Sequence, residues 1–559
     1  MEKIWLKSYP EGVPAEIDPS QYRSLKEMWE EGFSKFGSAI AYTNMDVSLT
    51  YAQIEEASRV FGAWLQNEAG LKRGDRVALM MPNVLQYPIA IAGVLRAGMT
   101  VVNTNPLYTA RELEHQLEDS GAKVILILEN FAHVLAEVIG KTDVQKVIVT
   151  SVGDMLGFPK GAIVDFVLRR VRKQVPAYDL PGALRWKDVI ASGRRHTLKP
   201  VDLGHDDIAF LQYTGGTTGV SKGAVLTHRN MVANVLQSGA WLGTAAPPAG
   251  TDIVITALPL YHIFSLTANC LVFMQSGARN VLITNPRDFK AFVAELKKYK
   301  FTYLSGVNTL FNALLNTPGF DTVDFRNLTV TLGGGMAVQR AVAERWKQVT
   351  GKVLTQAWGL TETSPAACIN PLIGQEFNGS IGLPISSTEV SIRDDDGNEL
   401  GIDAVGEICV RGPQVMRGYW NRADETAKVM FPDGWLRTGD IGRMDPKGFV
   451  YIEDRKKDMI LVSGFNVYPN EVESVAVTHP GVLEVAAVAQ PDERAGEVVA
   501  LFVVKKDPNL SAQDLIEHCR KALTGYKVPK YVYFRSELPK TNVGKILRRA
   551  LRDELPKND

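Results

Sequence analysis

Tyr213–Ala224 reads YTGGTTGVSKGA. Gly215, Gly216, Gly219 and Gly223 are interspersed with Thr214, Thr217, Thr218 and Ser221, and Lys222 stands near the end. Glycine lets the backbone bend sharply and come close to a ligand. Freed N–H groups and hydroxyls donate to phosphate oxygens, and a lysine adds a point charge. The stretch therefore reads as a loop that grips a triphosphate. It is not a Walker A loop, because neither Gly215 nor Gly216 is followed at the required spacing by Gly-Lys-Ser/Thr. The apolar run Asp207–Tyr213 in front of it predicts a strand, and Arg229–Gly239 behind it predicts a helix.

The same alternation extends outward. Strands are expected at Arg76–Met81, Lys123–Leu128, Lys146–Thr150, Ile253–Leu258, Asn280–Ile283, Thr329–Leu332 and Val353–Gln356, with helices at Tyr51–Leu65, Ala110–Ser120 and Asp288–Tyr299. Such alternation favours helices packed on mostly parallel sheets, whose ligands bind beyond the carboxyl ends of strands. Gly239–Gly250 reads as the most loop-like stretch. A second, smaller unit is expected at the end, with helices Glu471–His479 and Asp514–Leu523 and strands Val485–Ala489 and Val498–Val504. The fold class is thus α/β. The expected division is a large domain over 1–453, a charged linker over 454–457 and a small α+β domain over 458–559.

At 559 residues the chain is too long for one ordinary core. A hydrophobic content of 45% with 22% charged residues fits a soluble globular protein. Zero formal net charge argues against a general nucleic-acid binder. Cys270, Cys368, Cys409 and Cys519 lie far apart, which disfavours a disulfide framework or zinc site and suits a reducing cytosol. The N-terminus shows no apolar core of signal-peptide length. Ile253–Ala278 lacks Asp, Glu, Lys and Arg, yet it holds Pro259, His262, Asn269 and Gln275. A strand, a turn and a buried helix explain it better than a membrane span.

Further motifs follow in order: AWGLTETSP at Ala357–Pro365, DGWLRTGD at Asp433–Asp440, DRKKD at Asp454–Asp458 and PKTNVGKILRR at Pro539–Arg549. With Tyr213–Ala224 they make the chain resemble the adenylate-forming, AMP-binding superfamily. The likeness to bacterial long-chain-fatty-acid–CoA ligases extends to LPLYHIF at Leu258–Phe264 and to Asp458–Glu471.

The resemblance implies an acyl-CoA synthetase/luciferase-like fold and a two-step reaction: carboxylate plus ATP gives an acyl-adenylate, and coenzyme A then displaces AMP. It implies Mg²⁺ as cofactor, with ATP, CoA and a long-chain fatty acid as substrates. Tyr213, Thr214, Gly215, Gly216, Thr217, Thr218, Gly219, Ser221 and Lys222 would hold phosphates. Glu362 would carry Mg²⁺, with Thr214 near the metal and Thr361 on phosphate. Gly333, Gly334, Gly335, Gln356, Ala357, Trp358 and Gly359 would form the adenine wall, although the family more often has Tyr where Trp358 stands. Asp440 would accept from both ribose hydroxyls, as suits a carboxylate facing a diol, and Arg455 would brace the nucleotide. Lys545 would bridge the incoming carboxylate and the α-phosphate. His262 would shape or gate the pocket beside the substrate carboxylate. Lys545, Thr214, Glu362 and His262 form the expected catalytic set.

In this family the small domain swings about a hinge aligned with Lys457, which would turn Ser463, Gly464 and Phe465 toward the CoA thiol. No phosphate role carries to Asn466, where some acetyl-type synthetases have Arg. Ile263–Phe273 and Tyr303–Phe311 are candidate linings of an apolar acyl tunnel, each buried CH₂ contributing about 0.8 kcal/mol.

Gly161–Pro176, read as one helix, puts Ile163, Val164, Val167, Leu168 and Val171 on one face beside Arg169, Arg172 and Lys173. A basic amphipathic helix suits an anionic leaflet. It is a candidate for peripheral contact between this cytoplasmic protein and the inner membrane, weighed against a surface helix packed on the large domain. An oligomer is compatible with the sequence. Two other functions compete: an adenylating enzyme with a different acceptor, such as a fatty-acyl-AMP ligase, a peptide-synthetase adenylation domain or a luciferase-like oxygenase, and a non-catalytic binding protein. The short tail after Lys545 disfavours a carrier domain, and intact Lys545, Glu362 and Asp440 disfavour loss of catalysis.

Overall fold

The computed structural model describes residues 2–214, 221–492, 494–541 and 544–555, and among these the strands form four sheets. In one, Ala122–Leu128, Arg76–Met80, Thr100–Asn103 and Ile208–Thr214 run parallel, and Lys222–Thr227 returns antiparallel along the last of them. In the second, Tyr303–Gly306, Val330–Gly333 and Leu354–Gly359 lie parallel, with Gly306 opposite Gly333 and Gly333 opposite Gln356. A four-stranded antiparallel sheet includes Leu436–Met444 and Val450–Arg455. The fourth sheet gathers Ile460–Val462, Phe465–Val467, Val482–Asp492, Gly496–Lys505 and Tyr531–Arg535. A large core runs from Trp5 to Val450, and separate clusters within 460–555 form the core of a small domain.

Local chemistry explains the helix starts. Thr50 with Gln53, Thr109 with Glu112 and Thr227 with Asn230 each form a reciprocal capping box, satisfying backbone donors that the first turn leaves free. The helix that begins at His228 runs to Gly243, past the expected end at Gly239. Trp241 and Leu242 are buried, and that burial carries the helix into a stretch read as loop.

The charge-free stretch becomes the strand Ile253–Thr256 and a buried helical run from Ile263 to Ser276 with a π turn at Leu266–Leu271. Its polar groups are paired inside the protein. Thr267 donates to Ser364 O at 2.7 Å, and Ser305 donates to Asn269 Oδ1 at 2.8 Å. Among the described residues no helix is long and apolar enough to cross a membrane.

The segment 160–171 departs from the single-helix reading. An α-helix over Lys160–Phe166 passes into a π turn over Val167–Val171. The extra residue per turn rotates the side chains, so the expected face divides. Val164 and Leu168 pack inward, Arg169 pairs with buried Glu129 at 2.7 Å, and Ile163 and Val171 point out.

Candidate active site

A cavity of about 1640 Å³ opens where the strands Ile208–Thr214, Val330–Gly333 and Leu354–Gly359 end, between the large and small domains. Tyr213, Thr214, Lys222, Gly334, Gly335, Gln356, Ala357, Trp358, Gly359, Thr361 and Glu362 line it with Asp440, Arg455, Lys457 and Lys545. Gly215, Gly216, Thr217, Thr218 and Gly219 lie outside the described residues. Ser221 and Gly333 stand behind the lining. The Ser221 carbonyl accepts the ring N–H of His115 at 2.9 Å, and a Cβ on Gly333 would meet Val338 at 2.8 Å. Lys222 pairs with Glu425 and lies over the Tyr419 ring, 5.0 Å from its centroid. Tyr213 directs its hydroxyl to Asp119 at 2.7 Å, and burial with that carboxylate pushes the phenol pKa up.

The flat wall is built by backbone. A Cβ on Gly334 would stand 3.0 Å from Ala357 O and 3.1 Å from the Phe264 ring. Gly359 carries a tighter constraint, since a Cβ there would fall 1.7 Å from Pro365 O. Gln356 is spent on structure: its Oε1 accepts from Val338 N at 3.2 Å and its Nε2 donates to Ser380 O at 3.0 Å.

Asp440 is 1% exposed. Its Oδ2 accepts the indole N–H of Trp358 at 2.8 Å. Arg455, opposite it in register, places Nε 2.7 Å from Oδ1 but off the hydrogen-bonding direction, so that among the described residues Oδ1 accepts no hydrogen bond. The guanidinium charge offsets the burial of that oxygen, and its open acceptor position suits a ligand hydroxyl. Trp358 therefore orients the carboxylate as well as lining the wall.

Glu362 follows the strand that ends at Gly359, and the Tyr419 hydroxyl donates to its Oε1 at 2.7 Å. No group of three or more His, Cys, Asp or Glu able to hold a metal occurs among the described residues. A lone carboxylate in the same cavity as Thr214 and Thr361 nevertheless fits Mg²⁺, which keeps water and substrate phosphates and takes one or two protein carboxylates.

Lys545 enters from the small domain. Surrounding protein desolvates its ammonium and Arg455 opposes its charge, lowering its pKa to about 8. Lys457 is lowered as well, first by burial and then by Arg455. His262 accepts from Phe264 N at 3.3 Å. Burial and the neighbouring Lys545 bring its pKa to about 3, so the imidazole is neutral. The turn Ser463, Gly464, Phe465 is exposed and outside the cavity, with Phe465 stacked on Tyr526 at 4.8 Å.

The apolar end is lined by Ile263, Phe264, Thr267 and Ala268 with Trp241 and Leu242 of the preceding helix. Of the two stretches expected to form it, the later half of the first and most of the second belong to the core. Phe273 packs on Tyr303 at 4.8 Å and Phe311 on Trp346 at 4.8 Å. Tyr419, Trp241 and Leu242 carried no local sequence signal, because their place in the site depends on strands and helices remote from them.

Residues 29–420 match the AMP-binding enzyme family, and residues 471–545 match the AMP-binding enzyme C-terminal domain. The chain is 56% identical over 554 residues to a long-chain-fatty-acid–CoA ligase of Escherichia coli O157:H7, covering 99% of this chain and 98% of that protein. It is 52% identical to the Haemophilus influenzae protein of the same description, with 99% of each chain covered. Among solved structures, ATP-bound MatB from Rhodopseudomonas palustris superposes with a TM-score of 0.80 at 26% identity, covering 94% of this chain and 98% of that one. The anthranilate CoA ligase AuaEII in complex with anthranoyl-AMP does so at 0.85 and 24% identity, covering 96% and 98%, and shares the fold.

Proposed function

The chain belongs to the AMP-binding enzyme family, and from that premise we propose that its cleft joins long-chain fatty acids to coenzyme A at the expense of ATP, releasing AMP and pyrophosphate. The observation that carries the reading is the pairing of a buried Asp440 carboxylate, whose Oδ1 accepts no hydrogen bond among the described residues, with a desolvated lysine in the same cavity.

In the first step a fatty-acid carboxylate oxygen attacks the α-phosphorus, the bond to the β-phosphate oxygen breaks, and acyl-adenylate forms. Asp440 holds the ribose hydroxyls, and Gly334 to Trp358 give the adenine a flat wall. Thr214, Lys222 and Thr361 face the phosphates. Glu362 would hold Mg²⁺, which neutralises phosphate charge. The Lys545 ammonium stabilises charge that grows as the two anions meet. Neutral His262 shapes the space beside the carboxylate and moves no proton. In the second step the CoA thiolate attacks the acyl carbon and the bond to AMP breaks. We place the hinge at Lys457, just past the strand Val450–Arg455 in which the first half of the expected 454–457 linker is held, with rotation there withdrawing Lys545 and bringing Ser463–Phe465 to the thiol.

The enzyme is read as cytoplasmic with peripheral membrane contact. Phe158 is 93% exposed and Phe166 60%, beside Ile163 and Val171, and exposed Arg170, Arg172 and Lys173 carry no ion pair among the described residues. This outward face, rather than the one through Val164 and Leu168, suits an anionic leaflet.

The test is pyrophosphate and AMP release from ATP·Mg²⁺ with palmitate, with and without CoA. Palmitoyl-CoA and AMP forming together only when CoA is present support the reading. AMP release indifferent to CoA would assign the adenylate to another acceptor.

A further inference from the structure

Lys545 belongs to the small domain, yet what seats it comes from the large one. Thr309, in the first turn of the helix Asn308–Leu315, donates its hydroxyl to Gly544 O at 2.9 Å, the carbonyl immediately before Lys545. Asn312 donates its amide to Leu483 O at 3.2 Å, on the small domain's Val482–Asp492 strand. Three residues apart, the two side chains share one helix face. Gly544 takes φ +84°, and a Cβ there would stand 2.9 Å from Thr309 Oγ1 and 3.2 Å from Val307. Glycine thus makes the turn and permits the approach. From the opposite wall Gly335 leaves room for the lysine stem, since a Cβ there would lie 3.2 Å from Lys545 Cε. Within the small domain the loop closes on itself, Lys545 N–H donating to Thr541 Oγ1 at 3.1 Å and Thr541 N–H to Lys545 O at 2.6 Å, and Lys540 at its start bonds Glu484 at 2.7 Å.

We propose that Thr309, backed by Asn312, is a positioning residue that seats the lysine loop for acyl-adenylate formation and takes no part in thioester formation. The inference rests on the reading that Lys545 serves the first step. Gly544 and Leu483 lie beyond the linker from Thr309 and Asn312, so rotation of the small domain breaks both hydrogen bonds. A change at Thr309 therefore penalises one arrangement of the enzyme and not the other.

The experiment measures the two steps separately in the full-length enzyme: palmitate-dependent exchange of pyrophosphate into ATP, and palmitoyl-CoA formation from supplied palmitoyl-adenylate and CoA. Thr309→Val should lower kcat of the exchange about fivefold, the effect of one net hydrogen bond, with KM for ATP unchanged. Thr309→Ser should restore it, and the thioester step should hold or rise. Asn312→Ala should act the same way more weakly. Equal loss in both steps would be a folding effect and would overturn the assignment, as would an exchange rate that Thr309→Val leaves alone. Lys545→Ala separates the two readings: exchange that survives it sinks the lysine role, whereas exchange lost in Lys545→Ala but intact in Thr309→Val sinks the seating role alone.

Discussion

The two walls of the cleft are held in opposite ways. On the large-domain wall each polar group is fixed by a neighbour of the same domain: Asp440 by Trp358, Glu362 by Tyr419 and Lys222 by Glu425. Across the cleft, Thr309 and Asn312 of one helix reach the small domain at Gly544 O and Leu483 O, and the buried carboxylate of Asp454 accepts from Asn470 N at 2.8 Å. Burial pushes Asp454 up to about 6 against the pull of Arg548. Arg548 is tied within the small domain to Glu473 at 2.9 Å and lies 3.6 Å from Asp458. Groups that must meet phosphates without rearranging are preorganised. On the proposed mechanism the group that withdraws, Lys545, is held across the cleft by a few weak bonds, while Arg548 ties its own domain together through Glu473.

The largest way to break this contrast is Lys545→Ala. Adenylation should fall by about a thousandfold, within the range of electrostatic stabilisation of a transition state, while palmitoyl-CoA formation from supplied adenylate survives; a matched loss in both steps would deny the division of labour. Glu362→Gln should cost about a hundredfold in pyrophosphate release. The binding of Mn²⁺ with ATP, followed by electron paramagnetic resonance, should weaken in parallel, and unchanged Mn²⁺ binding would move the metal elsewhere.

Acidity gives the next test. On the proposed mechanism Lys545 acts as the ammonium, and its pKa is lowered to about 8 in the free enzyme. The charged form is complete below that value and is lost as pH rises through it. At pH about 9, kcat/KM for adenylation should therefore be down about tenfold. Lys545→Arg, weaker throughout, should lack this alkaline fall, and the same fall in that variant would point to another group.

Trp358→Phe keeps the flat wall but removes the bond to Asp440. KM for ATP should rise about fivefold, the effect of one hydrogen bond; no change would mean that Arg455 alone holds the carboxylate. The smallest catalytic effect is expected at the outward face. Phe158→Ser with Phe166→Ser should leave turnover of a soluble acid unchanged and reduce pelleting with anionic phospholipid vesicles. Pelleting equal to the unaltered protein would remove that surface from consideration.

Legibility followed sequence distance. The strand Lys146–Thr150 and the helix Ala110–Ser120 were readable to the residue, because their apolar period and capping groups lie within a few positions. The helix end at Gly243 was not, since Trp241 is buried by Tyr9 at 5.3 Å from the far N-terminus. The single amphipathic face expected over Gly161–Pro176 did not form, because a π turn breaks the period on which that reading relied.

By itself the sequence determined the α/β class, the order of nucleotide-binding motifs and the identity of the charged groups, Asp440, Glu362 and Lys545 among them. These follow from local pattern and residue chemistry. Only the tertiary structure decided that Trp358 orients Asp440, that Tyr419 holds Glu362 and that Thr309 seats Gly544. The physical reason is that each of these bonds joins residues brought together where parallel strands from different parts of the chain end at one cleft, and no local spacing records that meeting.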